Sequence, residues 1–167
     1  MIPVFDGHND LLFRLLQTPE QRDQIVLTGE GKGHLDLPRM KSGGFAGGFF
    51  AVYLPSPRAH DDADYQARMA NPPYALPLPD PIPFADAIAP ALTLAGHLLW
   101  IERASEGALK ICRTAPEVRT CLSTGTIAAI LHIEGAEAID ESLDALHLFH
   151  AIGLRSFVNE ARLLARF

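Results

Sequence analysis

Ile2-Pro3-Val4-Phe5-Asp6-Gly7-His8-Asn9-Asp10 opens the chain, and the rest can be read outward from it. Ile2 to Phe5 is a short apolar run of the kind that forms a buried strand, with Pro3 tolerable only near its start. Asp6-Gly7 then breaks the run with turn residues, and His8-Asn9-Asp10 follows. His8 and Asp10 are two positions apart, so in extended backbone both side chains leave on one face. An imidazole nitrogen and a carboxylate oxygen meeting at a strand end form half of a site for zinc or a similar divalent ion. A solvated acidic turn would carry the same letters, so this motif alone does not decide between the two.

The 167 residues amount to one domain, with enough apolar content to build a core. The formal charge of −6, with no basic block, argues against nucleic acid and anionic membrane as partners. Cys112 and Cys121 make neither a C-x-x-C motif nor a disulfide framework and suit a reducing compartment. No signal-peptide pattern precedes Asp6, and no segment reads as long and uncharged enough to span a bilayer. The expectation is a soluble, cytoplasmic protein with no membrane partner.

Taken in order, Leu11 to Leu16 reads as a short helix ending near Thr18-Pro19, and Gln17 to Gly33 as a surface loop. Phe45 to Leu54 is a second buried strand, whose glycines allow close backbone packing and do not form a P-loop. Pro55 to Pro83 is too rich in proline for a continuous helix or a central strand and reads as a surface excursion. Phe84 to Glu106 is predicted as a helix with Ile88, Leu92, Ala95, Leu99 and Trp100 facing inward, Pro90 lying in its first turn or kinking it. Ala108 to Cys112 is a short strand-like piece, and Thr114 caps a helix that stops before Gly125. Thr126 to Ala136 is a third buried strand, apolar on both faces until His132 and ending in Glu134. A helix over Glu141 to Ile152, with Leu143, Leu146, Phe149 and Ile152 inward, stops at Gly153. Leu154 to Val158 starts a fourth strand, and Glu160 to Phe167 is a helical tail.

Strand followed by helix, repeated, is an α/β order and implies a parallel sheet. In a (β/α)8 TIM-type barrel the chemistry sits at the C-terminal strand ends, where His8, Asp10 and Glu134 fall. A closed barrel needs eight strands and about 250 residues, so this chain reads as a partial barrel of about the first four β/α units, an incomplete domain over residues 1–167.

Three segments together resemble the membrane (renal) dipeptidase family of zinc metallopeptidases. Asp6-Gly7-His8-Asn9-Asp10-Leu11 is similar to the family's opening motif. His34 to Arg39, followed by Gly43 to Tyr53, looks like its second strand and the approach to it. Ile130-Leu131-His132-Ile133-Glu134-Gly135-Ala136-Glu137 resembles the third strand with its metal-bridging glutamate, and Gly153-Leu154-Arg155 the start of the fourth. The resemblance implies two zinc ions sharing a carboxylate, with His8 and Asp10 on one ion and Glu134 bridging to the second. It implies dipeptide substrates, hydrolysed by a hydroxide held between ions roughly 3.5–4 Å apart.

The family draws two further histidines, and its substrate-carboxylate and acid/base groups, from later strands. A substrate-contacting histidine at the end of the fourth strand has its nearest counterpart here at Ala161, and the tail from Ser156 to Phe167 ceases to look like the family. The expectation is a truncated form, inactive alone and holding at most one zinc well. His132 shares a strand face with Glu134 and is either its orienting partner or a satisfied core histidine. Asp6 and Asn9 are read as hydrogen-bonding the ligand loop, His34 as a loop hydrogen-bonder, and His60, His97, His147 and His150 as loop or helical residues that are solvated or satisfied by neighbours. Two other readings stand beside the dipeptidase. One is a non-catalytic half-barrel forming a homodimer through its open barrel edge. The other is a metal-dependent amidohydrolase or phosphoesterase using H-x-D.

Overall fold

The computed structural model describes residues 2–56, 62–76 and 80–158. In chain order the elements are β1 (Val4–Asn9), α1 (Leu11–Gln17), α2 (Leu37–Ser42), β2 (Phe45–Tyr53), α3 (Asp62–Met69), α4 (Phe84–Ala104), β3 (Leu109–Ile111), α5 (Ala115–Thr124), β4 (Ile127–Glu134), α6 (Asp144–Ile152) and β5 (Leu154–Val158). Every ladder is parallel, and the sheet runs β1-β2-β4. The far side of β4 is shared: β3 pairs with its first half, from Leu109↔Ile127 to Ile111↔Ala129, and β5 with its second, from Leu131↔Leu154 to Glu134↔Val158. This open sheet of five strands with intervening helices is the first part of a TIM-type barrel.

Side chains alternate along β4, and its two faces have different covers. Ile127, Ala129, Leu131 and Ile133 are buried in the main core with Leu12 and Leu15 of α1 and Leu94, Leu98 and Ile101 of α4. Each fully buried leucine there contributes about 1.5–3 kcal/mol of transfer free energy. On the other face Ala128 and Ile130 pack under α5, and His132 and Glu134 continue that face toward the C-terminal rim. The β2 glycines are required by close approach: a Cβ on Gly47 would meet the Ala128 carbonyl oxygen at 2.5 Å and the Phe5 ring at 2.7 Å.

Several sequence expectations are corrected. The first strand runs on through His8 to Asn9, with register shifts after Val4 and Asp6, and it is an edge strand rather than a buried one. Ile2, Val4 and Phe5 are 84%, 52% and 42% exposed because β1 is paired on one side only among the described residues. The Gln17–Gly33 loop contains a short 3-10 turn (Pro19–Gln21) and a π turn (Gln24–Thr28) that buries Ile25 and Val26. Within the proline-rich excursion, α3 occupies the proline-free window; Pro57, Pro77 and Pro79 lie outside the described residues. The piece at Ala108–Cys112 is a true strand, making the sheet five-stranded.

The fully buried face of α4 is Ala87, Ala91, Leu94, Ala95, Leu98 and Ile101, rotated from the predicted stripe: Ala95 is buried as expected, Ile88, Leu99 and Trp100 pack half-buried at its margin, and Leu92 is 45% exposed. A helix apolar nearly all round leaves its buried face to be chosen by its neighbours. By length and composition α4 is also apolar enough to cross a membrane, contrary to the reading that no segment is; here one face, bearing Ala87, Ala91, Leu94, Ala95, Leu98 and Ile101, is buried in the core. Pro90 lies inside the helix, beyond the first turn. His97 is buried rather than solvated, with its Nε2 unpaired. Helix α6 begins at Asp144, because Leu143 takes a left-handed φ of 66° and lies outside it. The predicted tail helix over Glu160–Phe167, together with Ala161 and His60, falls outside the described residues.

Candidate metal centre

At the C-terminal rim, the last residues of β1 and β4 converge. The His8 Nε2 lies 3.1 Å from Asp10 Oδ1 and 3.5 Å from Glu134 Oε2. One ligand atom from each of His8, Asp10 and Glu134 falls within 4.8 Å of the others, the one such group of three among the described residues. The three residues proposed from sequence, separated by more than a hundred positions, therefore meet. Parallel pairing is the cause, since β2 aligns with β4 from Gly47↔Ala128 to Tyr53↔Glu134 and with β1 up to Asn9↔Phe50.

The backbone of the motif is held by its own polar side chains, as read from the sequence. Asp6 Oδ1 accepts the His8 amide at 3.3 Å, and the Asn9 amide group donates to Asp6 Oδ2 and to the Phe49 carbonyl, each at 3.1 Å. Asn9 Oδ1 accepts the amide of Leu11, so one buried side chain bridges β1, β2 and the start of α1. Asp10 stands at the N-terminal end of α1, where the helix dipole favours its charge.

One imidazole nitrogen and two carboxylates, exposed or half-buried at a strand-end rim, make a borderline-hard donor set that fits zinc or a similar divalent cation. Facing them is a cavity of about 320 Å³ lined by Gly7, His8, Phe49, His132, Glu134, Ser156 and Val158. A larger hollow of about 710 Å³ lies on the open side of β1, walled by Asp6, His8 and Asp10 together with Arg14 and His34. The smaller cavity is the one bounded by donors from both strands.

His132, read as either a partner of Glu134 or a satisfied core histidine, is buried and meets Ser156, His8 and Phe49. Its Nδ1 is 3.0 Å from the Ser156 hydroxyl, and its ring stands edge-on to His8 (centroids 6.1 Å apart) and Phe49 (5.9 Å). Burial, and after it the neighbouring His8, lowers the proton affinity of His132. Ser156 and Phe49 are the residues that sequence reading passed over. Ser156 had no local signal: it is the β4–β5 register, His132↔Ser156, that puts the two side chains side by side. His34 is a loop residue, as expected, and His147 and His150 are exposed.

A parallel β/α sheet bearing an H-x-D pair and a glutamate at its C-terminal strand ends defines the class, a partial TIM-type barrel whose rim carries a donor set that fits a cation. The chain belongs to the membrane dipeptidase family (peptidase family M19), whose model matches residues 1–159. A crystallised metallopeptidase from Rhodobacter sphaeroides, holding a phosphinate mimic of the dipeptide L-Ala-D-Ala, is 62% identical and superposes with a TM-score of 0.84 over 93% of this chain. An uncharacterised protein of Acinetobacter calcoaceticus is 33% identical over 93% of the chain, and a dipeptidase of Clonostachys rogersoniana 30% identical over 92%. The chain spans 44% of the crystallised enzyme and 47% and 36% of the other two.

Proposed function

We propose that this chain carries the first half of the active site of a zinc-dependent dipeptidase. The observation that carries the reading is the convergence of His8, Asp10 and Glu134 within 4.8 Å, in a chain of the membrane dipeptidase family. The dipeptide mimic held by the Rhodobacter enzyme, at 62% identity, supports a dipeptide substrate. Bound at this rim, zinc supplies Lewis acidity and an activated water for attack on the scissile carbonyl.

The chain's own residues bind and orient. His8 presents Nε2 to the cation, and Asp10 and Glu134 present carboxylate oxygens that neutralise it. Asp6 and Asn9 hold the β1 end in register, and Phe49 and His132 wall the cavity beside the donors. Glu134, half-buried, lines the cavity with His8 and would be the carboxylate shared with a second ion. Among the described residues no second group of three ligands is present, which supports a reading in which this chain alone holds at most one cation well. Two free thiols, Cys112 and Cys121, support a reducing, cytoplasmic setting.

The test is titration of the purified chain with Co(II), read by visible absorption, together with assay of dipeptides in zinc. One cation equivalent is expected, with affinity falling roughly 100-fold or more in Asp10→Ala, beyond the ~10–100-fold loss typical of groups that only orient a ligand. No dipeptide turnover by the isolated chain is expected. An Asp10→Ala variant that binds like the parent would sink the site. Robust turnover by the pure monomer would sink the claim that further strands are required.

A further inference from the structure

At the base of the sheet, far from the rim, two cysteines meet. Cys112 continues the β3 ladder, its amide donating to the Ala129 carbonyl at 2.8 Å, and Cys121 is the buried residue of α5. Their sulfurs are 3.6 Å apart, both thiols are free, and the residues are 0% and 2% exposed. With Ala128, Val118 and Ile130 they form a small apolar cluster separate from the main core. That cluster covers the face of β4 that carries His132 and Glu134. Cys112 bonds the Ala129 carbonyl and Ile130 of the cluster is four positions from Glu134, so the near edge of the cluster is about 13 Å from the rim along the strand.

We propose that Cys112 and Cys121 form a redox modification site, a dithiol that a disulfide oxidant of the glutathione class converts to an intramolecular disulfide tying α5 to β3. A disulfide holds its sulfurs at about 2.05 Å, so the pair must close by about 1.5 Å. Side-chain rotation with a small shift of α5 supplies that movement. Helix α5 is the element able to yield, because its burial rests on Cys121 with Val118 only partly covered. The same looseness admits the oxidant.

At rest the pair stays reduced. Burial, and then the hydrogen bond with Cys121, pushes the Cys112 thiol up to about 12, so little thiolate is present to react. When α5 opens, one cysteine thiolate attacks the oxidant's disulfide, forming a mixed disulfide and releasing one glutathione thiolate. The second cysteine then attacks the protein sulfur and expels the second glutathione. Two S–H bonds are lost and one S–S bond forms in the protein. The oxidant's S–S bond is reduced to two thiols, which take up the two protons.

The experiment incubates the full chain with glutathione disulfide, then denatures it, alkylates it with iodoacetamide and maps the peptides. A crosslink between the peptides of Cys112 and Cys121 is expected, with no alkyl group added to either and a Tm raised by about 5 °C. Cys112→Ser and Cys121→Ser should each abolish both the crosslink and the shift. Co(II) affinity at the rim should stay within about twofold on oxidation, given the separation along β4. Two alkylated cysteines, a persistent glutathione adduct or a disulfide between chains would overturn the proposal. None of these outcomes bears on the metal assignment.

Discussion

His132 shows how a residue identified correctly by its spacing can take a partner the spacing does not name. Alternation along β4 placed it on the face of Glu134, and the structure turns its Nδ1 to Ser156 and its ring edge to His8. Ser156→Ala should therefore loosen the ring beside His8 and weaken Co(II) binding by up to about tenfold, less than the loss of a ligand. A loss as large as that of Asp10→Ala would mean that Ser156 reaches the cation itself. Asp140 offers a second test at this scale. Its Oδ1 accepts the Ala145 amide at 2.7 Å and its Oδ2 the Asp144 amide at 3.2 Å, closing the open N-terminus of α6. The Ser142 hydroxyl first, and the Ala145 amide next, hold its carboxyl down to about 2 from an ordinary 3.8. The folded value is depressed, so this stabilisation is complete above the ordinary value and disappears as pH falls through about 2. In thermal melts Asp140→Asn should lie below the parent at neutral pH, and the gap should shrink as pH falls through that window. A gap independent of pH would mean that the carboxylate charge is not what caps α6.

Elements with strong local signals matched their sequence reading, and those without them moved. Helix α5 was legible because every terminus signal agrees: Thr114 accepts the Glu117 amide, Glu117 accepts the Thr114 amide at 3.0 Å, and Gly125 ends the helix at a φ of 75°. Thr114→Ala should cost about 1 kcal/mol, a fall in Tm of about 2–4 °C, measured by calorimetry. Helix α4 was legible in extent and not in orientation. With Ala, Leu and Ile on nearly every side, its amphipathic stripe is weak, and the packing of α1 and the sheet selects the face bearing Leu94 and Leu98. Leu98→Ala should cost about 2–5 kcal/mol by leaving a cavity, whereas Leu92→Ala at the exposed position should stay within about 0.5 kcal/mol. Equal losses in urea denaturation would return the buried face to the one predicted from spacing.

The whole molecule is an open parallel sheet with apolar residues left at both ends. Ile2, Val4 and Phe5 are exposed beside β1, and Phe157 and Val158 beside β5. Sedimentation of the purified chain should show self-association through these edges. A stable monomer with protected edge amides in hydrogen exchange would contradict this. The sequence by itself determined the repeated strand–helix pattern, the H-x-D pair, the acid that ends β4, the capped α5 and the family, because these depend on neighbours within a few residues. Only the tertiary structure decided that β1 is an edge, that β4 divides its far side between β3 and β5, which face of α4 is buried, and that Ser156 stands beside His132. Each of those follows from which segments lie side by side in the sheet. Parallel pairing joins residues far apart in the chain, and local periodicity carries no record of it.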